Sequence, residues 1–220
     1  MFVKFTPNLI YQNMKKLFIA LFAVFGICTH VSAQKSKGVE FGVGIGYNGS
    51  TIVSDYNDRA RIRSGFNAAL SAEDYFSDRW SLKVKAIYDQ KGANSSEVVS
   101  GDIMGYTDIS AYYITVPVMA NWHFGKTRNW YLNFGPYAGF LLDAKKSIKY
   151  ADVVYSGSLK SGFNAVDAGL AYGIGVKLPV AKKLKFYMEL DGQYGVTNIF
   201  TNRTDNSINS RTSLNIGLNF

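Results

Sequence analysis

Apolar and polar residues alternate with a period of two along most of the chain beyond residue 38, and eight segments carry the pattern. Val39 to Asn48 sets Val39, Phe41, Val43, Ile45 and Tyr47 against Glu40, Gly42, Gly44, Gly46 and Asn48. Gly65 to Glu73, Trp80 to Asp89, Ala111 to His123, Trp130 to Leu142, Val166 to Leu178, Leu184 to Val196 and Arg211 to Phe220 repeat it. Successive strand side chains point to opposite faces, so this alternation predicts strands with one greasy and one polar face. No segment sustains a helical period. Each segment is about ten residues long, the length at which a tilted strand crosses a bilayer. Residues 76–79, 124–129 and 179–183 make tight connections, whereas 49–64, 90–110, 143–165 and 197–210 are long and polar. These features predict an all-β fold: an eight-stranded antiparallel up-and-down transmembrane β-barrel with both termini at the short-turn end.

The aromatic residues sort along the predicted strands. On the apolar faces, Trp80, Trp122, Trp130, Phe186 and Phe220 fall at the short-turn end. Tyr47, Phe66, Tyr88, Tyr112, Phe140 and Tyr194 fall at the long-loop end. Amphipathic rings collect at the two interfaces of a bilayer, so these residues are the expected membrane girdles. A soluble barrel with the apolar face inside is the rival geometry. It would crowd bulky rings into a narrow lumen and leave the Gly-, Ala- and Ser-rich faces to water. Pro117 and Pro136 resist both readings, because proline removes a ladder donor and a closed barrel has no edge to place it on. A bulge or a broken ladder is expected at each.

Composition agrees with the pattern. The chain has 15 Tyr, 15 Phe and 21 Gly, and 18% of its residues are charged, below the roughly 25% of soluble domains. The mean hydropathy of −0.03 averages two opposed faces. The N-terminus reads as an export leader over residues 1–33: Met14-Lys15-Lys16, an apolar run from Leu17 to Ile27, then the cleavage triplet Val31-Ser32-Ala33. The barrel then spans 34–220, and Met14 is an alternative start. Cys28, the one cysteine, follows Ile27 and not the small residue a lipoprotein signal needs. Beyond residue 33 there is no cysteine, which excludes disulfides, thiolate metal sites and a cysteine nucleophile there. The net charge is +8, but the bases are dispersed, so no nucleic-acid partner is expected.

Several short motifs carry a resemblance. Gly65-Phe66-Asn67-Ala68, Gln90-Lys91-Gly92, Ile114-Thr115-Val116-Pro117, Gly135-Pro136-Tyr137, Gly173-Ile174-Gly175 and Tyr194-Gly195-Val196-Thr197-Asn198-Ile199 occur in this order over nearly all of the predicted barrel. In them the chain resembles the small outer-membrane β-barrel proteins of Bacteroidetes, the PorT-like group. The resemblance implies the bacterial outer membrane as location and assigns no activity. The final strand, with Leu214, Ile216, Leu218 and the terminal Phe220, resembles the signal by which the barrel-assembly machinery recognises such proteins. Lipopolysaccharide and outer-membrane lipid are then the expected surroundings.

The polar faces hold the most chemical residues. Glu40, Glu73, Asp89, Asp167, Glu189 and Asp191 oppose Lys83, Lys85, Lys177, Lys185 and Arg211. Charges in a narrow lumen need partners, so a paired network plugging the barrel is expected, with an ion path as the alternative. His123 is the one histidine beyond the leader, and the sequence offers it no obvious Ser–acid partner. Gly44-Ile45-Gly46-Tyr47-Asn48-Gly49 matches a dinucleotide fingerprint by letters but starts inside a strand. Asp55, Asp58 and Asp102 are isolated loop acids, so no metal or cofactor is expected. Val98-Val99, Ile103-Met104, Tyr150 and Val153-Val154-Tyr155 are apolar spots in the long loops. They suit an extracellular or envelope protein partner, loop packing, or strand extension. The expectation is a non-enzymatic barrel with a structural, adhesive or secretion-assembly role through its loops. A lipid A-modifying enzyme and a narrow pore remain alternatives.

Overall fold

The computed structural model describes residues 38–54, 60–100, 103–150, 153–201 and 206–220; the leader expected over residues 1–33 lies outside them. Nine strands run in chain order: β1 Val39–Ser54, β2 Arg63–Tyr75, β3 Trp80–Ser100, β4 Ile103–Phe124, β5 Trp130–Tyr150, β6 Val153–Ser158, β7 Val166–Pro179, β8 Lys185–Gly195 and β9 Ser207–Asn219. Every pairing is antiparallel. β1, β2, β3, β4, β5, β7, β8 and β9 each pair with two others of this set, and β9 closes on β1. That ring is the eight-stranded barrel. β6 stands outside it, paired to the extracellular end of β5.

The register fixes the barrel's shape. Paired residues followed once round the ring lead from Gly49 through Thr212, Gly192, Tyr172, Phe134, Ala120, Leu82 and Asp74 to Val39. Val39 lies ten positions back along the starting strand, so the shear is ten. With a rise of about 3.3 Å and a strand spacing of about 4.8 Å, eight strands at this shear tilt by about 41° and give a backbone radius of about 8 Å. Trp122 and Tyr112 are ten residues apart on β4. At that tilt they stand about 25 Å apart along the membrane normal, the height of an outer-membrane apolar band.

The two surfaces are inverted relative to a water-soluble protein. Ile45, Phe66, Leu70, Phe134, Leu170 and Leu190 are at least half exposed, on the outer wall. Glu73, Lys83, Asp89, Asp167, Glu189 and Arg211 are buried inside. Exposed apolar surface on this scale needs a nonpolar solvent, and acyl chains supply it.

Two expectations about the strands are corrected. Residues 90–110 are not a loop: β3 and β4 continue as a hairpin paired as far as Ser100 and Ile103. β1 runs on to Ser54, β5 to Tyr150, and β9 begins at Ser207. At each proline the expected broken ladder forms, without a bulge. The register is the same on both sides of Pro117 and Pro136, and the ladder is interrupted for two residues, at Lys85–Ala86 of β3 and Val118–Met119 of β4. The register shifts fall elsewhere, at Val98/Ser100 and Tyr112/Tyr113.

Candidate functional site

Inside the barrel the charges form a stack of cross-lumen bonds. At the periplasmic end, Lys177 Nζ (β7) bonds Glu73 Oε2 (β2) at 2.8 Å, Tyr75 Oη at 2.8 Å, and Glu40. Lys185 also reaches Glu40, and Asn219 donates to it at 2.6 Å. One level up, Glu189 (β8) takes Lys83 at 3.2 Å and Lys85 (both β3), the Tyr131 hydroxyl at 2.7 Å and Asn133 at 3.1 Å. Next, Arg211 (β9) joins Asp191 at 2.5 Å and Asp89 at 3.3 Å, amid Asn48, Asn67, Ser213 and Asn215. β3 lies diametrically opposite β8 in the ring, and β2 lies opposite β7. The Lys83–Glu189, Lys85–Glu189 and Lys177–Glu73 bridges therefore run straight across the bore.

All eleven charges singled out from sequence face the lumen, and a twelfth joins them. Lys91 is fully buried, donates to Asp167 at 2.9 Å and lies 3.9 Å from Asp89. It lies within the span that reads as a loop, so the sequence pattern hides it. With Lys91, six acids and six bases balance among the described lumenal residues. Inward tyrosines were also missed. Tyr131 and Tyr187 flank Lys83 at 5.1 and 5.4 Å from ring centre, and Tyr137 and Tyr113 flank Lys91 at 4.6 and 5.3 Å. These cations sit over ring faces, an attraction that strengthens with desolvation. The signal was available: Tyr113 shares the parity of Thr115, Tyr131 and Tyr137 that of Asn133, and Tyr187 that of Lys185 and Glu189. Glycines make room for the rings. A Cβ on Gly44 would fall 2.0 Å from the Tyr187 hydroxyl.

His123 has the partners that sequence failed to find. Its Nε2 is 3.0 Å from both Ser81 Oγ and Glu73 Oε1, and Ser81 donates to the same oxygen at 2.6 Å. A nucleophilic relay needs the imidazole to bridge base and nucleophile with its two different nitrogens. Here one nitrogen meets both groups, the hydroxyl spends its proton on the carboxylate, and all three residues are buried. Among the described residues, no His, Cys, Asp and Glu cluster could hold a metal ion. Gly44 to Gly49 lies within β1. Asp55, Asp58 and Asp102 are outside the described residues.

At the extracellular end the lumen turns apolar. Ile52, Ala93, Ala111, Tyr113, Ala144, Phe163 and Ile199 form one buried cluster, with Leu159, Leu141 and Phe200 against it. Phe163 and Phe200 meet edge to face at 4.8 Å. The loops fold in to close this end over the charge stack.

The outer wall carries the aromatic residues at two levels. Trp80 is paired with Trp122 across β3–β4, and Trp122, Phe124 and Trp130 form a contiguous row with centroids 5.4 and 6.5 Å apart. At the other end Tyr88 stacks on Tyr112 at 6.3 Å, and Tyr47 meets Phe66 at 5.6 Å. Tyr194 and Phe186 project outward from β8 at either level. Leu214, Ile216 and Leu218 line the outer face of β9, and Phe220 is pinned to Phe41 of β1 by reciprocal backbone bonds of 2.8 and 2.9 Å. Val153, Val154 and Tyr155 lie on β6 and are exposed, while the side chains of Val98, Val99, Ile103, Met104 and Tyr150 are outside the described set.

A closed antiparallel ring with a lipid-facing wall and a polar interior defines an integral β-barrel of the bacterial outer membrane. The model of the outer membrane protein beta-barrel domain family matches residues 32–201, and the chain belongs to that family. Similar solved structures include Ail, the attachment invasion locus protein of Yersinia pestis, at 18% identity and a TM-score of 0.41, over 82% of this chain and 98% of Ail. Neisserial surface protein A is 15% identical with a TM-score of 0.45, over 83% and 98% of the two chains. The N-terminal β-barrel domain of Pseudomonas aeruginosa OprF is 13% identical with a TM-score of 0.36, over 80% and 97%. Likeness at this level says nothing of function. No curated protein matches.

Proposed function

We propose that this protein is a non-enzymatic outer-membrane barrel of the PorT-like group of Bacteroidetes, exported by a cleaved leader. It acts through its extracellular face as a structural, adhesive or envelope-assembly component. The observation that carries this reading is the filled lumen. Three bridges span the bore diametrically, every described lumenal charge has a partner, and an apolar cluster caps the outer end. A solute would have to break several desolvated ion pairs to pass, so transport is not the reading the interior supports. The Ser81–His123–Glu73 contact is a structural bond set within that plug, where Glu73 also takes the Lys177 bridge. What remains for interaction is the extracellular sheet formed by the ends of β3, β4 and β5 with β6. Lipopolysaccharide surrounds this wall, and the β9 face with Phe220 serves the assembly machinery during insertion.

Planar-bilayer recording of the refolded barrel tests the plug, with no stable conductance expected. Steady channels would favour the pore. The lipid A profile of a deletion strain tests the enzyme alternative, and unchanged species are expected.

A further inference from the structure

β6 is an edge strand with none of the usual protections. Among the described residues no strand pairs with its outer side. All six of its residues, Val153-Val154-Tyr155-Ser156-Gly157-Ser158, are exposed. Natural edges are blunted by charge, proline or bulges; β6 has no charge, no proline and an unshifted register. It also stands clear of the bilayer. β5 pairs Asp143 with the girdle residue Tyr112, and β6 pairs with Lys145 to Tyr150 above that point. At the barrel's tilt this is about 5–17 Å beyond the girdle.

The hydrogen-bonding phase can be read. The Leu159 N–H donates to the Ala144 carbonyl at 2.8 Å, which makes Leu159–Ala144 a hydrogen-bonded pair. In an antiparallel ladder such pairs alternate. Gly157, Tyr155 and Val153 therefore bond to β5, whereas Val154, Ser156 and Ser158 turn their N–H and C=O groups to the open side.

The neighbouring charge selects the occupant. Lys145 and Lys149 are exposed, and with Lys146 and Lys160 they make four bases in residues 143–160 against Asp143 and Asp152. Lys145 pairs with Ser158 and Lys146 with Gly157. These are the smallest side chains of β6, one on each face, so nothing tall separates the two ammonium groups from a strand added beyond β6. A second copy of this chain would bring the same excess of lysines to the seam. We propose that the β6 edge docks an extended acidic segment of another polypeptide by strand addition. Its carboxylates lie on the face of Lys145 and Lys149 and its apolar side chains on the opposite face, with Val153 and Tyr155. The proposal rests on the extracellular face being the working surface, and names the chemistry of its partner.

The test uses the full barrel refolded in micelles and a fluorescein-labelled ten-residue peptide alternating Glu and Val. Its Lys–Val counterpart is the control. The Glu–Val peptide should bind by anisotropy, and the Lys–Val peptide at least tenfold more weakly. Hydrogen exchange at Val154, Ser156 and Ser158 should slow on binding. Ser156→Pro removes an N–H that β5 does not use, so the fold should survive while binding falls at least tenfold. Lys145→Glu with Lys149→Glu should weaken binding similarly, by charge alone. No binding to the unaltered barrel, binding unaffected by Ser156→Pro, or self-association through β6 would each overturn the proposal. Whole-cell adhesion separates the two levels of inference. Adhesion lost on deleting residues 145–158 but kept in Ser156→Pro would sink the strand-addition idea and leave the adhesive reading standing. Adhesion untouched by the deletion would count against the adhesive reading itself.

Discussion

Replacing Glu189 by leucine should be among the most damaging single changes in this barrel. The carboxylate is buried and accepts four hydrogen bonds, from Lys83, Lys85, Tyr131 and Asn133. Its loss strands Lys83 with no other carboxylate in bonding range, while Lys85 keeps only Asp191 at 3.6 Å. Breaking a buried ion pair from one side costs about 3–5 kcal/mol, because the partner charge stays desolvated. The unfolding equilibrium constant should therefore rise by roughly two to four powers of ten. The assay is equilibrium urea unfolding in lipid vesicles, followed by the fluorescence of Trp80, Trp122 and Trp130. A companion variant sharpens the reasoning: Lys83→Met and Lys85→Met added to Glu189→Leu remove both sides of the network. Asp191 keeps its Arg211 bridge at 2.5 Å, so this triple variant should recover most of the loss. If Glu189→Leu alone cost under about 1 kcal/mol, as exposed pairs do, water would be reaching the network and the plugged lumen would be wrong.

Two further outcomes follow from the geometry. Gly92 has φ +138°, and a Cβ there would fall 1.8 Å from the Ile109 carbonyl and 3.2 Å from Arg63 Cδ. Gly92→Ala should lower stability by at least about 2 kcal/mol in the same urea assay and loosen the 3.1 Å Arg63–Asp108 bridge that passes over it. On the outer wall Leu190 lies midway between Phe186 and Tyr194, whereas Val196 lies beyond the outer girdle. Leu190→Arg should cost about 2–4 kcal/mol and Val196→Arg at most about 1; equal costs would mean that no apolar slab surrounds β8.

The membrane-crossing part of the fold was legible because lipid outside and a polar bore inside impose one alternation on every strand. Above the girdles the solvent changes and the alternation inverts. Inward positions become apolar, as in Ile52, Ala93, Ala111 and Ala144, while outward positions become polar, as in Asp108, Ser110 and Lys145. A reading that follows the greasy face therefore stops at Asp89 and resumes at Ala111, and the hairpin between them passes for a loop. Lys91 was lost with it. β6 was hidden for a related reason: with water on both faces, its six residues carry no two-sided pattern. The lumenal charges were legible by parity, but their pairing was not. Lys177 meets Glu73 and Lys83 meets Glu189 only because a shear of ten brings those levels together across the bore. The contact of His123 with Ser81 and Glu73 is likewise set by register between β2, β3 and β4.

The central claim is that acyl chains, not water or protein, touch the apolar face of every barrel strand. Residues 38–220 contain no cysteine, so single cysteines can be placed at each position from 186 to 194 of β8 and spin-labelled in lipid vesicles. With Gly192, which lies against the Tyr172 ring, left unlabelled, collision rates with oxygen should be high at 186, 188, 190 and 194 and low at 187, 189, 191 and 193, while a water-soluble nickel chelate should be excluded at 190. High nickel accessibility at 190, or oxygen maxima at the odd positions, would contradict the account.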